Sequence, residues 1–182
     1  RAAYLDTERA FFNATSLCLA AKGQEHLPCS LAITAPEIAF ADHWTVQTTL
    51  RAAKTDSRGF GFYLAKNYDD LLDHPVAMGE FQLVHWKSNG VAHRMAIQGC
   101  NHIVDTKRLA EDLQAICTST INLFEPKTKR APFEEYLFLV NAVLNGYGGL
   151  EHRNSTALIC NRRDLPSLDM KKMRSEERRV GQ

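Results

Sequence analysis

Phe81-Gln82-Leu83-Val84-His85-Trp86-Lys87-Ser88-Asn89-Gly90-Val91-Ala92-His93-Arg94-Met95-Ala96-Ile97-Gln98-Gly99 alternates with a period of two, and the residues after Gly99 do not. Phe81, Leu83 and His85 share one face of an extended chain, and Val91, His93, Met95 and Ile97 share one face of the next run. Such alternation marks half-buried antiparallel strands. Beyond Gly99, Leu109, Leu113, Ile116 and Leu123 recur at helical spacings. Asp105 precedes them as a cap whose carboxylate can accept an orphan backbone N–H. The change of rhythm predicts an α+β chain: an antiparallel β-sandwich over 1–99, its start missing, and a second domain opening at residue 100 with one long helix.

Working upstream, Trp44, Val46, Thr48 and Leu50 share a strand face, and Ser30-Leu31-Ala32-Ile33 and Ser16-Leu17-Cys18-Leu19 are further extended runs. Asn67-Tyr68-Asp69-Asp70-Leu71-Leu72-Asp73 breaks the pattern, because an Asn cap and an acidic first turn predict a short helical turn ahead of Pro75. Downstream, residues 125–132 read as a basic, proline-bounded loop. Tyr136 to Leu144 is a nearly unbroken apolar run, the pattern of a strand covered on both faces. Asn145-Gly146 predicts a tight turn, and Ser155 to Cys160 another strand. The second domain is expected to run over 100–173 and to be incomplete. The last residues, 174–182, lack apolar spacing and read as a charged tail, non-native sequence being a second reading of them.

Charge and composition narrow the function classes. A net charge of +1 provides no field to draw in nucleic acid or an anionic membrane, so neither is expected as a partner. No apolar run approaches the roughly 20 residues of a membrane span. Five cysteines form an odd set without CxxC spacing, which fits neither a disulfide framework nor a cysteine zinc site. The set favours a reducing, cytoplasmic compartment, while the opening at Arg1 leaves room for a missing leader and a periplasmic location.

The seven histidines include no pair at the spacing that sets two imidazoles on one helix face, so an HExxH zinc motif is absent and no metal ligands are expected here. His85 and His93 lie in strands and are read as hydrogen-bonded sheet residues. Cys100-Asn101-His102 has the residue types of a thiol nucleophile and its base. A working triad, however, is assembled from distant segments, so adjacency is no argument for one. Trp44 and Trp86 could form a sugar platform, which would make the chain a non-catalytic β-sandwich module binding carbohydrate or peptide.

Gly148-Gly149-Leu150-Glu151 carries more chemistry. Two glycines let another backbone approach and pair as an added strand, so a peptide could lie there. The Glu151 carboxylate could then accept charge-assisted hydrogen bonds from a free amino terminus. A glycine-rich turn followed by a surface Glu fits the same residues.

Tyr147-Gly148-Gly149-Leu150-Glu151-His152-Arg153-Asn154-Ser155-Thr156-Ala157-Leu158 resembles the segment just upstream of the zinc motif in the glycyl aminopeptidase family, gluzincin metallopeptidases that often carry a C-terminal PDZ domain. Residues 4–17 and 67–75, with Met78-Gly79, resemble that family's N-terminal β-domain, so the likeness extends over about residues 4–166. The resemblance implies a β-sandwich followed by a thermolysin-like catalytic domain, of which 100–173 would be the first part. By the same resemblance Gly148, Gly149 and Leu150 would hold a peptide backbone and Glu151 would anchor its amine. His152 and Arg153 are assigned only to packing. Family members continue shortly after the segment matched by Arg163-Asp164-Leu165-Pro166 into HExxH, and later supply a glutamate ligand. The chain is therefore expected to be a piece of a zinc aminopeptidase with glycine preferred. It would keep the substrate strand, lack the zinc ligands and general base, and be inactive alone, with zinc bound in the intact enzyme.

Overall fold

A computed structural model describes residues 3–168, so the tail expected at 174–182 lies outside the described residues. Twelve strands, two α-helices and short 3₁₀ turns are described, which is the α+β class expected. By its contacts the chain divides into two units. One runs to Phe81 and includes Leu150–Ala157; the other takes Gln82–Gly149 and resumes at Leu158.

The first unit holds β1 (Ala3–Leu5), β2 (Arg9–Phe12), β3 (Cys29–Ile33), β4 (Thr45–Gln47), β5 (Arg51–Thr55), β6 (Gly61–Ala65), α1 (Tyr68–Leu72) and β7 (Val76–Gly79). They form two sheets, ordered β1-β2-β7-β4 and β3-β6-β5. Every pairing in both sheets is antiparallel. Both sheets contribute to one apolar cluster: Ala10, Phe12, Val46 and Val76 come from the first, Ile33, Tyr63 and Ala65 from the second. Trp44, Val46, Thr48 and Leu50 are all buried, but the strand covers only Thr45–Gln47 and the intervening Gln47 and Thr49 are buried as well, so they are not one face of a half-buried strand. Gly61 sits at φ +142°, and a Cβ there would fall on the backbone oxygen of Lys54. Only glycine fits at this crossing, where the β5–β6 register shifts between Ala52 and Lys54.

Ser16-Leu17-Cys18-Leu19 is not a strand. Residues 14–16 form a 3₁₀ turn capped by Asn13, whose side chain accepts from the Thr15 N–H, and Leu17 and Leu19 are exposed. The cap satisfies the backbone locally and so competes with ladder formation. At Asn67 the same chemistry acts as expected, its side chain accepting from the Asp70 N–H at 2.8 Å to start α1.

The second unit is built on β8 (Gln82–Ser88), β9 (Val91–Gln98), α2 (Thr106–Phe124) and β10 (Glu135–Val143). β8 and β9 pair antiparallel. β9 and β10 pair parallel, with α2 as the crossover between them. With β11 (Gly148–Glu151) and β12 (Ser155–Asn161) the sheet order is β11-β12-β10-β9-β8. A boundary at residue 100 therefore falls inside this unit, because β8 and β9 share a sheet with β10. Alternation identifies a strand but not the sheet it joins.

On β9 the face carrying Val91, His93, Met95 and Ile97 is buried, as expected. On β8 the buried residues are Val84, Trp86 and Ser88, whereas Leu83 stands 41% exposed. The Asp105 carboxylate accepts the Arg108 N–H at 3.2 Å and caps α2. Leu109, Ala110, Leu113 and Cys117 pack on the Val84–Trp86–Ile97 cluster, and Ile121 is buried farther along. Ile116 and Leu123, expected on the inner face, are exposed at 60% and 73%. β10 buries Leu137, Leu139, Val140 and Ala142 on both faces, matching its apolar run. Asn145-Gly146 is not a hairpin turn between neighbours, since β12 lies between β11 and β10. Glycine is needed at 146 because a Cβ would press on the Val143 and Ile159 side chains.

Candidate functional site

The predicted substrate segment is a strand and not a turn. Gly148–Glu151 forms β11, which ends the sheet order and so has no strand on its outer edge among the described residues. Gly149, Leu150 and Glu151 are exposed, and an added Cβ at Gly148 would meet nothing within 4 Å. Neither backbone strain nor packing within the chain requires glycine at 148, unlike Gly61 and Gly146. The carboxylate of Glu151 makes no hydrogen bond or ion pair with any described residue. An exposed strand edge with an acceptor-only side chain at its end can pair with a peptide backbone and receive a cation.

The residues after Glu151 belong to the first unit and are fastened within it. The His152 N–H donates to the Ser155 carbonyl at 2.8 Å, and the Thr156 hydroxyl to the Leu150 carbonyl at 3.4 Å. The His152 ring, its side chain only 7% exposed, puts Nδ1 3.4 Å from Asp73 Oδ1. The Arg153 N–H donates to Asp73 Oδ2 at 3.3 Å, and its guanidinium to Asp69 Oδ2 at 3.0 Å. The carboxylates push the Arg153 pKa up, the hydrogen bond that its guanidinium donates to Asp69 contributing most. No local sequence pattern marks a role for His152 or Arg153, or Asp73 as their partner. Their separation of 79 positions hides the pairing from any local pattern.

Nearby, His74 Nδ1 lies 2.6 Å from the Thr49 hydroxyl and Nε2 3.8 Å from Asp70 Oδ1. Burial lowers the His74 pKa, outweighing the pull of Asp70 and Asp73.

The other candidates resolve into packing. The five cysteines are free and partly buried. Burial raises the pKa of Cys18, Cys100, Cys117 and Cys160, which holds them as thiols and away from nucleophilic chemistry. Trp44 is buried in the first unit's cluster and Trp86 in the second's, so they form no sugar platform. Among the described residues no group of three or more His, Cys, Asp or Glu is placed to hold a metal ion. No described helix is long and apolar enough to cross a membrane.

His93 is the buried sheet histidine expected from its strand position. It stacks on Trp86 with ring centroids 5.2 Å apart, and Nδ1–H donates to the Val91 carbonyl at 3.1 Å. Burial lowers its pKa below the ordinary 6.5. The unfolded chain therefore binds a proton as pH falls through 6.5 while folded His93 stays neutral. Its stabilising contribution is complete above that pH and is lost toward the lower folded-state value. Urea unfolding of a Trp44→Phe background, read by Trp86 fluorescence, should show stability falling on acidification from pH 7.5 to 5.5. The His93 share has a slope of at most about 1.4 kcal/mol per pH unit. His93→Phe keeps the stack and should flatten that slope; an unchanged slope would remove His93 as the cause.

Residues 1–80 match the Peptidase M61 N-terminal domain. Over 92% of its length the chain is similar to an aminopeptidase N family protein from Idiomarina loihiensis, at 45% identity and a TM-score of 0.84, spanning 27% of that protein's chain. An M1 zinc metallopeptidase from Deinococcus radiodurans is a far weaker likeness, at 12% identity and a TM-score of 0.48 over 85% of this chain and 37% of that one. No curated protein sequence matches. Residues 1–80 are thus similar to the Peptidase M61 N-terminal domain, and the chain as a whole is similar to about a quarter of an aminopeptidase N family protein.

Proposed function

We propose that this chain is the amino-terminal, substrate-holding part of a zinc aminopeptidase that removes amino-terminal residues, glycine preferred. The observation that carries the reading is the exposed edge of β11, with open space over Gly148 and an uncommitted carboxylate at Glu151. A peptide laid along that edge pairs through its backbone with Gly148, Gly149 and Leu150, which leaves its amino terminus at Glu151. The ammonium group is then held by a charge-assisted hydrogen bond and an ion pair together. The glycines serve by keeping side chains out of the peptide's path.

Zinc, when bound in the intact enzyme, supplies Lewis-acid chemistry at the scissile carbonyl. The residues here do not fit it, since no HExxH occurs in the sequence and no ligand cluster among the described residues. The 182-residue chain by itself should therefore bind no stoichiometric zinc and release no amino-terminal glycine. The intact protein should do both, lose activity to a chelator, and prefer free over acetylated amino termini. Metal analysis of tag-free protein with a peptide release assay checks this. One-to-one zinc with chelator-sensitive hydrolysis by the 182-residue chain would overturn the division of labour. Equal cleavage of free and acetylated peptides by the intact protein would overturn the aminopeptidase reading.

A further inference from the structure

We propose that Asp73 is a positioning residue that sets the strand phase of Glu151, an inference that rests on the amine-anchor reading of that residue. Asp73 stands at a fixed point. It is the C-cap of α1, its N–H donates to the Asp70 carbonyl, and it runs directly into fully buried Pro75 and Val76. From there one carboxylate engages two consecutive residues, Oδ1 meeting the His152 ring and Oδ2 the Arg153 N–H, with Arg153 Nε also 3.7 Å from Oδ2.

The consequence follows from alternation carried one residue past β11: His152 follows Glu151 directly, its N–H still pairs with the Ser155 carbonyl of β12, and in a paired extended chain successive side chains point to opposite faces. Holding His152 inward on Asp73 obliges Glu151 to point outward, where it is exposed. A slip of one residue would exchange them, bringing the Glu151 carboxylate against the Asp73 carboxylate and expelling the imidazole. Asp73 thus attracts the correct phase through two donors and repels the wrong one by like charge. Such a device is needed here because the strand itself specifies phase weakly: two of its four residues are glycine, and β11 has a neighbour on only one side. The Asp69–Arg153 pair, with both side chains mostly exposed, adds little to it.

The test compares Asp73→Ala and Asp73→Asn with Asp69→Asn as the surface control. Amide exchange is read on the chain, and peptide cleavage on the intact enzyme. Exchange at residues 151–154 should accelerate by about tenfold or more in Asp73→Ala, as expected for loss of hydrogen bonds to a charged group. Asp69→Asn should change it little. In the intact enzyme Asp73→Ala should lower the preference for free over acetylated amino termini while cleavage of the acetylated peptide persists. A change in that ratio is something a general loss of fold would not produce. If Asp73→Ala does not fold, the isosteric Asp73→Asn provides the same two readings. Unchanged exchange at 151–154 in both variants overturns the proposal. So does faster exchange without any change in amine preference, when Glu151→Gln does change it. If Glu151→Gln itself leaves the preference intact, the amine-anchor reading fails, and the positioning role falls with it.

Discussion

Glu151→Gln in the intact enzyme should lower kcat/KM by about ten- to 150-fold for peptides with a free amino terminus. A hydrogen bond to a charged partner contributes roughly 1.5 to 3 kcal/mol, and each 1.36 kcal/mol is tenfold in rate. Glutamine keeps the shape and one acceptor oxygen but removes the charge, so the loss isolates the ion-pair character of the contact. An N-acetylated peptide lacks the ammonium group, and its slower cleavage should be nearly unchanged. The quantity to measure is the ratio between the two substrates, because an effect on the metal centre or the fold reduces both alike. Equal losses would move Glu151 out of the amine site, and a silent substitution would make it an ordinary surface residue.

Ile97→Ala should destabilise the second unit by about 2 to 5 kcal/mol, and Ile97→Val by about 0.5 to 1.5. Ile97 is 1% exposed on β9, opposite Gln82 of β8 and Val140 of β10, in the cluster formed with Val84, Trp86, Met95 and Val104. With strands on both sides and α2 packed on the same cluster, the site cannot collapse around the missing atoms, so the cavity cost adds to the lost transfer energy. Each unit holds one of the two tryptophans, so urea unfolding of a Trp44→Phe background reports the second unit through Trp86. A loss below about 1 kcal/mol would mean that this cluster is not the core that holds the sheet together.

Both experiments probe features that differ in how far the sequence discloses them. The strand over Val91–Gln98, the cap at Asp105 and the apolar run of β10 were legible because each rests on a local rule: period two, a side-chain acceptor at a helix start, a strand with two buried faces. Glu151 and its glycines were legible by residue type and by resemblance, although not as a strand edge. Local rules misled at Ser16-Leu17-Cys18-Leu19, where a capped turn took the backbone, and at Ile116 and Leu123, where helical spacing was correct but the inner face was defined by Leu109, Leu113, Cys117 and Ile121.

The sequence by itself determined the α+β class, the order of most elements, the absence of an HExxH motif and the candidate segment 148–151. Tertiary structure alone decided that β8 and β9 join the sheet of β10, that β11 ends that sheet, and that Asp73 meets His152 and Arg153. The physical reason is range. Periodicity and capping are written in residues a few positions apart, whereas the sheet a strand joins and the partner a carboxylate finds depend on burial and charge brought together from segments some 80 positions apart.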